Sequence, residues 1–314
     1  MPFLITLAIA CILTRATMAM APRLGLVDQP GALKIHAEAV PTTGGIAVAI
    51  ASLLVWRPAL PIALAIGIAL VTGTADDLRS LSPLMRVFAQ TICGAVLVAG
   101  GLRFEPLGPL GGPALVLATV ALANAINMVD GQDGLAGGLA AIASLGLAAV
   151  MTAAGFTAVG PFALAGALAG FLVWNRPPAS VFLGDGGAYA VAVALVAIAA
   201  QASTAGWPWL LATGCCLGAF AYELVATVLR RRRSATAATT GDRDHTYDRL
   251  TRRLGSRSRS TGVTLGLGVV AAVLGVVVAR APVGAGLGLI GGALVVAATL
   301  DGRLLPLAPQ GDAS

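Results

Sequence analysis

Residues 112–138 read GPALVLATVALANAINMVDGQDGLAGG. From Gly112 to Val129 there is no charged side chain, and a helix of that length covers about 27 Å, close to the roughly 30 Å hydrocarbon core of a bilayer. A polar turn follows at Asp130-Gly131-Gln132-Asp133-Gly134, and the apolar pattern resumes at Leu135. A surface helix of a soluble protein would carry a charged face. The stretch therefore predicts membrane spans joined by short polar turns.

The rest of the chain repeats this design. Of its 314 residues 57% are hydrophobic and 11% charged, against about a quarter charged in soluble domains, which excludes a water-soluble globule. The 40 glycines follow no Gly-X-Y period, and they suit membrane helices that approach closely. Cys11, Cys93, Cys215 and Cys216 all lie in apolar stretches without CxxC spacing, so they read as small buried hydrophobes rather than a disulfide frame or zinc site. The first apolar stretch lacks a basic n-region and a convincing small-residue cleavage site, and reads as a true span.

Eleven candidate spans lie near 2–20, 44–56, 58–75, 84–100, 112–129, 135–153, 158–174, 186–203, 207–229, 261–280 and 283–300. Ten is the alternative, because the second is short and little more than Gly155 and Pro161 separates the sixth from the seventh. The expectation is an all-α polytopic membrane protein of ten or eleven transmembrane helices, one domain over 1–303 with a tail over 304–314. If loops alternate sides, 16 of the 20 basic residues share one side, in loops near 21–43, 76–83, 130–134, 175–185 and 230–260, at Arg86 just beyond the second of these and at Arg303, while Arg15 lies inside the first span. The other side holds Arg57, Arg103 and Arg280. The positive-inside rule makes the rich side cytoplasmic and puts the N-terminus outside. The net charge of +6 then reflects orientation, and no nucleic-acid partner is implied. Arg230 to Arg233 reads as a stop-transfer anchor or a contact to anionic headgroups.

The acids follow a pattern that topology did not require. Of the 14, only Glu105 falls in an outward loop, and Glu223 lies inside its span near the cytoplasmic end. Asp76-Asp77 closes the third span, and adjacent carboxylates at an apolar boundary suit metal binding or a base, against an ordinary solvated helix end. Asn124, Asn127, Asp130 and Asp133 place four oxygen-bearing side chains at the edge of a span, where they are costly without a ligand. An EF-hand loop competes, but its DxDxDG order and distal Glu are missing. Asp185, in Phe182-Leu183-Gly184-Asp185-Gly186-Gly187, reads first as a helix cap, with glycines that would also let a phosphate or metal approach the backbone. Lys34-Ile35-His36 before Pro41-Thr42-Thr43-Gly44-Gly45 pairs a cation with another glycine-rich approach, against a plain juxtamembrane loop. Gly241 to Leu250, with Arg243 and His245, is a mixed charged segment long enough to fold back over that face, against a plain solvated loop. Together these segments imply a cytoplasmic site with carboxylates for Mg²⁺ and basic groups for a polyphosphate, beside a membrane that supplies a lipid.

Taken in order, DQPGALKIHAEAVPTTGG, GTADDLRSLSPLMRVFAQ, NAINMVDGQDGLAGG and VFLGDGG resemble the polyprenyl-phosphate N-acetylhexosamine-1-phosphate transferases, a family that includes the phospho-MurNAc-pentapeptide translocase. The resemblance implies a Mg²⁺-dependent reaction, Mn²⁺ being the alternative ion. In it a polyprenyl phosphate in the bilayer attacks a UDP-N-acetylhexosamine, UDP-GlcNAc first among them, and UMP leaves. It also implies a place in the cytoplasmic membrane of a bacterium. Asp76 and Asp77 would orient or deprotonate the lipid phosphate, and Asn127 and Asp185 would hold the metal. Asn124, Asp130 and Asp133 would lie at the nucleotide sugar, Lys34 would neutralise phosphate charge, and Arg243 and His245 would approach the diphosphate or sugar. The chain departs from the family in two places. His245-Thr246-Tyr247-Asp248 matches only the first histidine of an HxHH pattern, and Ala188 stands where a serine is frequent. The pentapeptide translocase carries three consecutive histidines there, which argues against that specificity. A transporter, the rival from another class, would place acids near mid-membrane in both halves of an inverted repeat, and no such repeat is visible.

Overall fold

The computed structural model describes residues 1–30, 38–233 and 244–304. They fold almost wholly into helices: α1 Pro2–Leu24, α2 Gly44–Trp56, α3 Leu60–Arg79, α4 Pro83–Ala99, α5 Gly111–Val129, α6 Leu135–Ala153, α7 Val159–Asn175, α8 Gly184–Ser203, α9 Trp207–Cys216, α10 Gly218–Arg233, α11 Thr246–Leu254, α12 Arg257–Arg280 and α13 Val283–Leu304. The one sheet among the described residues is a two-residue antiparallel pair, β1 Val27–Asp28 with β2 Val40–Pro41. Each of the eleven apolar stretches lies on a helix, the ninth on the pair α9 and α10, bent by 66° at Leu217.

Among the described residues six helices are long and apolar enough to cross a membrane, and seven if the bent pair is one span. The four shorter apolar helices are α2, α4, α7 and the Val283–Ala297 part of α13. With 13 residues, α2 reaches about 20 Å, short of a full hydrocarbon core. The sixth and seventh stretches are separate helices, because the chain reverses at Gly155, whose φ of +81° suits glycine. The protein is an integral membrane protein by its apolar helices.

At the centre stands α8, an Ala- and Val-rich helix with nearly every side chain buried. It packs chiefly against α3 and α5, then α2 and α9. Small residues make this possible. A Cβ on Gly45 of α2 would stand 2.1 Å from the Gly187 Cα of α8, and one on Gly73 of α3 would stand 2.5 Å from the Asp185 carbonyl carbon. Around this core α7 packs on α1, α2 and α6, while α12 closes the far side over α6 and α9. The N-terminus of α8 thereby meets the C-termini of α3 and α5.

Candidate active site

The site grows from that meeting of helix ends. The first turn of α8 leaves backbone N–H groups without helical partners. The Asp77 carboxylate, from the last turn of α3, accepts from the Asp185 N–H at 3.1 Å and the Gly186 N–H at 3.4 Å. Asp77 is thus a cap supplied by another helix, and Asp185, expected as the cap, sits inside the first turn with its side chain turned to Asn127 and Asp76 instead. Asn127, near the end of α5, donates its amide N–H to Asp185 Oδ1. Asp130 follows at the C-cap of α5. Its carboxyl is held well above the usual carboxylate range by burial, with Asp185 and Asp77 adding repulsion and the Gly184 N–H partly opposing.

Asp76 has a different setting. Its side chain is fully buried, its Oδ1 accepts from the Leu81 N–H at 2.7 Å, and its Oδ2 meets the Tyr189 hydroxyl at 3.0 Å and Arg86 Nε at 2.8 Å. Arg86, in the first turn of α4, also donates through Nε to the Leu81 carbonyl at 3.1 Å. Both carboxylate oxygens of Asp76 are therefore spent on holding α3, α4 and α8 together.

The structure brings Asp76, Asp77, Asn127, Asp130 and Asp185 to one place. Asn124 turns aside, donating to Gln90 Oε1 and the Val120 carbonyl, each at 2.8 Å. Asp133 accepts from the Ala179 N–H at 3.0 Å and ties its turn to the segment before α8. His245 is buried one helix away, its Nδ1 3.0 Å from Glu223 Oε1. Lys34 and Arg243 lie outside the described residues. The glycines read as an approach for phosphate have another use. Gly186 and Gly187 face Thr74 and Gly45, and Gly44 faces Phe171, so their missing side chains make room for neighbouring helices, while Gly184 makes room for the Thr42 carbonyl and the Asp77 carboxylate.

Three participants escaped the sequence reading. Arg86 had been counted only as a cytoplasmic base, yet it is the cation on the buried carboxylate. Tyr189, inside an apolar run, donates its hydroxyl to the same carboxylate. Asn175 accepts from the Gly134 N–H at 3.0 Å and donates to the Val181 carbonyl at 2.8 Å, bracing the two loops around the site. Its only signal was an amide at the end of an apolar run.

Among the described residues no three of His, Cys, Asp and Glu converge tightly enough to hold a metal ion by themselves. The donor set is nonetheless oxygen-only, with Asp77, Asp130 and Asp185 crowded at one helix end. That suits Mg²⁺, which takes few protein carboxylates and completes its shell with water and substrate phosphates.

Residues 59–203 match the family described as glycosyl transferase family 4. Over 255 residues the chain is 31% identical to the phospho-N-acetylmuramoyl-pentapeptide-transferase of Synechococcus sp. (strain CC9311), covering 68% of this chain and 69% of that protein. The chain belongs to glycosyl transferase family 4. The chain is also similar to the probable undecaprenyl-phosphate N-acetylglucosaminyl 1-phosphate transferase of Bacillus subtilis (strain 168), 34% identical over 59% of this chain and 58% of that one. The undecaprenyl-phosphate alpha-N-acetylglucosaminyl 1-phosphate transferase of Thermotoga maritima is 28% identical over 79% of this chain and 80% of its own length. The family match contains Asp76, Asp77, Asn127, Asp130 and Asp185, so the converging helix ends lie within the shared region.

Proposed function

We propose that this chain transfers N-acetylhexosamine 1-phosphate, and specifically GlcNAc 1-phosphate, from a UDP-sugar to a polyprenyl phosphate, initiating a cell-envelope glycan. The observation that carries the reading is the convergence of Asp77, Asp130, Asp185 and Asn127 at the first turn of α8 in a member of this family. A phosphate oxygen of the lipid attacks the sugar-linked phosphorus. The bond from that phosphorus to the bridging oxygen breaks, UMP leaves with the electron pair, and a polyprenyl-diphospho-sugar remains. Such a reaction depends mainly on positioning and on neutralising charge.

Asp185 and Asn127, with Asp130 beside them, would hold Mg²⁺, which when bound neutralises the diphosphate and steadies the departing phosphate. Asp77 keeps the α8 N-terminus in place and faces the lipid phosphate. Asp76 fixes Arg86 at the same edge, where the guanidinium supplies positive charge. Lys34 and Arg243 would add charge from the loops, and Asp133 and Asn124 would border the nucleotide. The fold reads as ten or eleven spans, the short α2, α4 and α7 completing the bundle, with the N-terminus outside and the site on the cytoplasmic face of a bacterial inner membrane.

A second reading, transfer of phospho-MurNAc-pentapeptide, is favoured by the Synechococcus relative. Tyr247 and Asp248, standing where that specificity carries histidines, count against it. Purified protein incubated with polyprenyl phosphate and a panel of UDP-sugars, with Mg²⁺ or with EDTA, should release UMP with UDP-GlcNAc and Mg²⁺. No release with any sugar from folded protein would refute the reaction class, and release with UDP-MurNAc-pentapeptide alone would select the second reading.

A further inference from the structure

Glu223 is a buried carboxylate that the proposed transfer does not use, 5% exposed on α10. Its Oε1 accepts from the Thr227 hydroxyl at 2.9 Å, the Thr246 N–H at 3.1 Å and Arg230 Nη2 at 3.3 Å, and it lies 3.0 Å from His245 Nδ1. We propose that Glu223 is a positioning residue for the transfer, holding His245 in its Nδ1–H form so that Nε2 is the ring nitrogen left to the substrate. The inference rests on the reaction proposed above.

The proton assignment follows from what surrounds Nδ1. A carboxylate that accepts from a guanidinium and a backbone amide is ionised and has no hydrogen to give. The second neighbour is the Thr227 oxygen at 3.4 Å, whose single hydroxyl hydrogen already points to Glu223. Both neighbours can only accept, so the hydrogen sits on Nδ1. Among the described residues nothing bonds Nε2.

The ring plane is fixed as well. His245 stacks on Tyr247 with centroids 5.4 Å apart and planes 5° from parallel. The Tyr247 hydroxyl donates to the Met128 carbonyl at 3.2 Å, and a Cβ on Gly131 would stand 2.2 Å from the Tyr247 hydroxyl oxygen. The imidazole set by α10 is thereby tied to the turn that bears Asn127 and Asp130. A carboxylate behind a histidine commonly fixes its tautomer and orientation in this way.

The test uses the full-length protein labelled with ¹⁵N-histidine. The chain has 2 histidines, so the signals lost in His245→Gln assign the pair. At about pH 8.5, above the usual histidine range, the wild type should give the Nδ1–H pattern. Glu223→Gln, whose amide can offer a hydrogen to Nδ1, should populate the Nε2–H form and lower kcat/KM for UDP-GlcNAc about 10- to 100-fold, the usual effect of losing such a partner. An Nε2–H or doubly protonated wild-type ring overturns the proposal, as does a folded Glu223→Gln protein with wild-type kcat/KM. If Glu223→Gln does not fold, the wild-type spectrum decides alone. Wild-type UMP release in the same preparation separates the two ideas, since its absence refutes the reaction while the spectrum still reads the tautomer.

Discussion

Asp76 and Asp77 are neighbours in the chain, yet one turn of helix gives them opposite tasks. Asp76 is enclosed by Arg86, Tyr189, the Leu81 N–H and the Asp185 carboxyl, whereas Asp77 holds the open end of α8. Asp76→Asn should therefore act mainly on stability. Breaking a buried ion pair costs about 3–5 kcal/mol, and the partly exposed Arg86 places this one near the lower end. Thermal melting in detergent should register that loss, and the Asp76→Asn protein that remains folded should keep measurable UMP release. Asp77→Asn should behave the other way, losing about 0.5–2 kcal/mol of capping while UMP release falls at least about 100-fold. Equal activity losses in two equally stable variants would contradict this division. Tyr189→Phe removes one of the several partners of Asp76, so it should lower stability by about 1 kcal/mol and release by less than tenfold. A dipeptide cannot reveal such a division, because adjacent helical residues point in different directions and their neighbours are chosen by tertiary packing.

At the scale of elements, the helices were legible because apolar runs of span length bounded by Gly, Pro and charge have few other readings. Their ends were less so, since α12 begins at Arg257 although its apolar run starts near 261. The second stretch is a helix over the expected 44–56, bounded by Thr43 and Arg57. The glycines were legible as signals of close approach, but the partner was misassigned. Sequence cannot distinguish a backbone bared for a phosphate from one bared for another helix, and at Gly45 and Gly187 it is the helix. Gly45→Val should consequently disrupt the contact of α2 with α8. The new Cβ would lie 2.1 Å from a backbone atom, which no rotamer change relieves. Overpacking typically costs about 1–3 kcal/mol and more where backbone must shift. Fluorescence-detected size-exclusion after a heating series should show earlier loss of the folded peak than in Gly284→Val, since a Cβ on Gly284 meets nothing within 4 Å.

For the whole molecule, scarcity of charge was what made the site visible. In a chain with 11% charged residues, carboxylates at several distant span ends are conspicuous, and the fold draws the ends of α3 and α5 to the start of α8. Lone amides and hydroxyls away from such a cluster, such as Asn175 and Tyr189, carry no comparable signal. The gathered charge has a thermodynamic consequence. Asp130 is held above its ordinary range by burial and by Asp185 and Asp77, so the folded protein binds its proton more tightly than the unfolded chain does. Stability from this group is complete below about pH 4, the unfolded value, and is lost as pH rises through the higher folded value. Metal-free protein in EDTA should melt at progressively lower temperature as pH rises above the ordinary carboxylate range. Mg²⁺ favours the ionised carboxylates, so it should reverse the loss and do so most at the alkaline end. Asp130→Asn removes the titrating group and should flatten the metal-free profile, whereas a profile as steep as the wild type would assign the effect to other carboxylates.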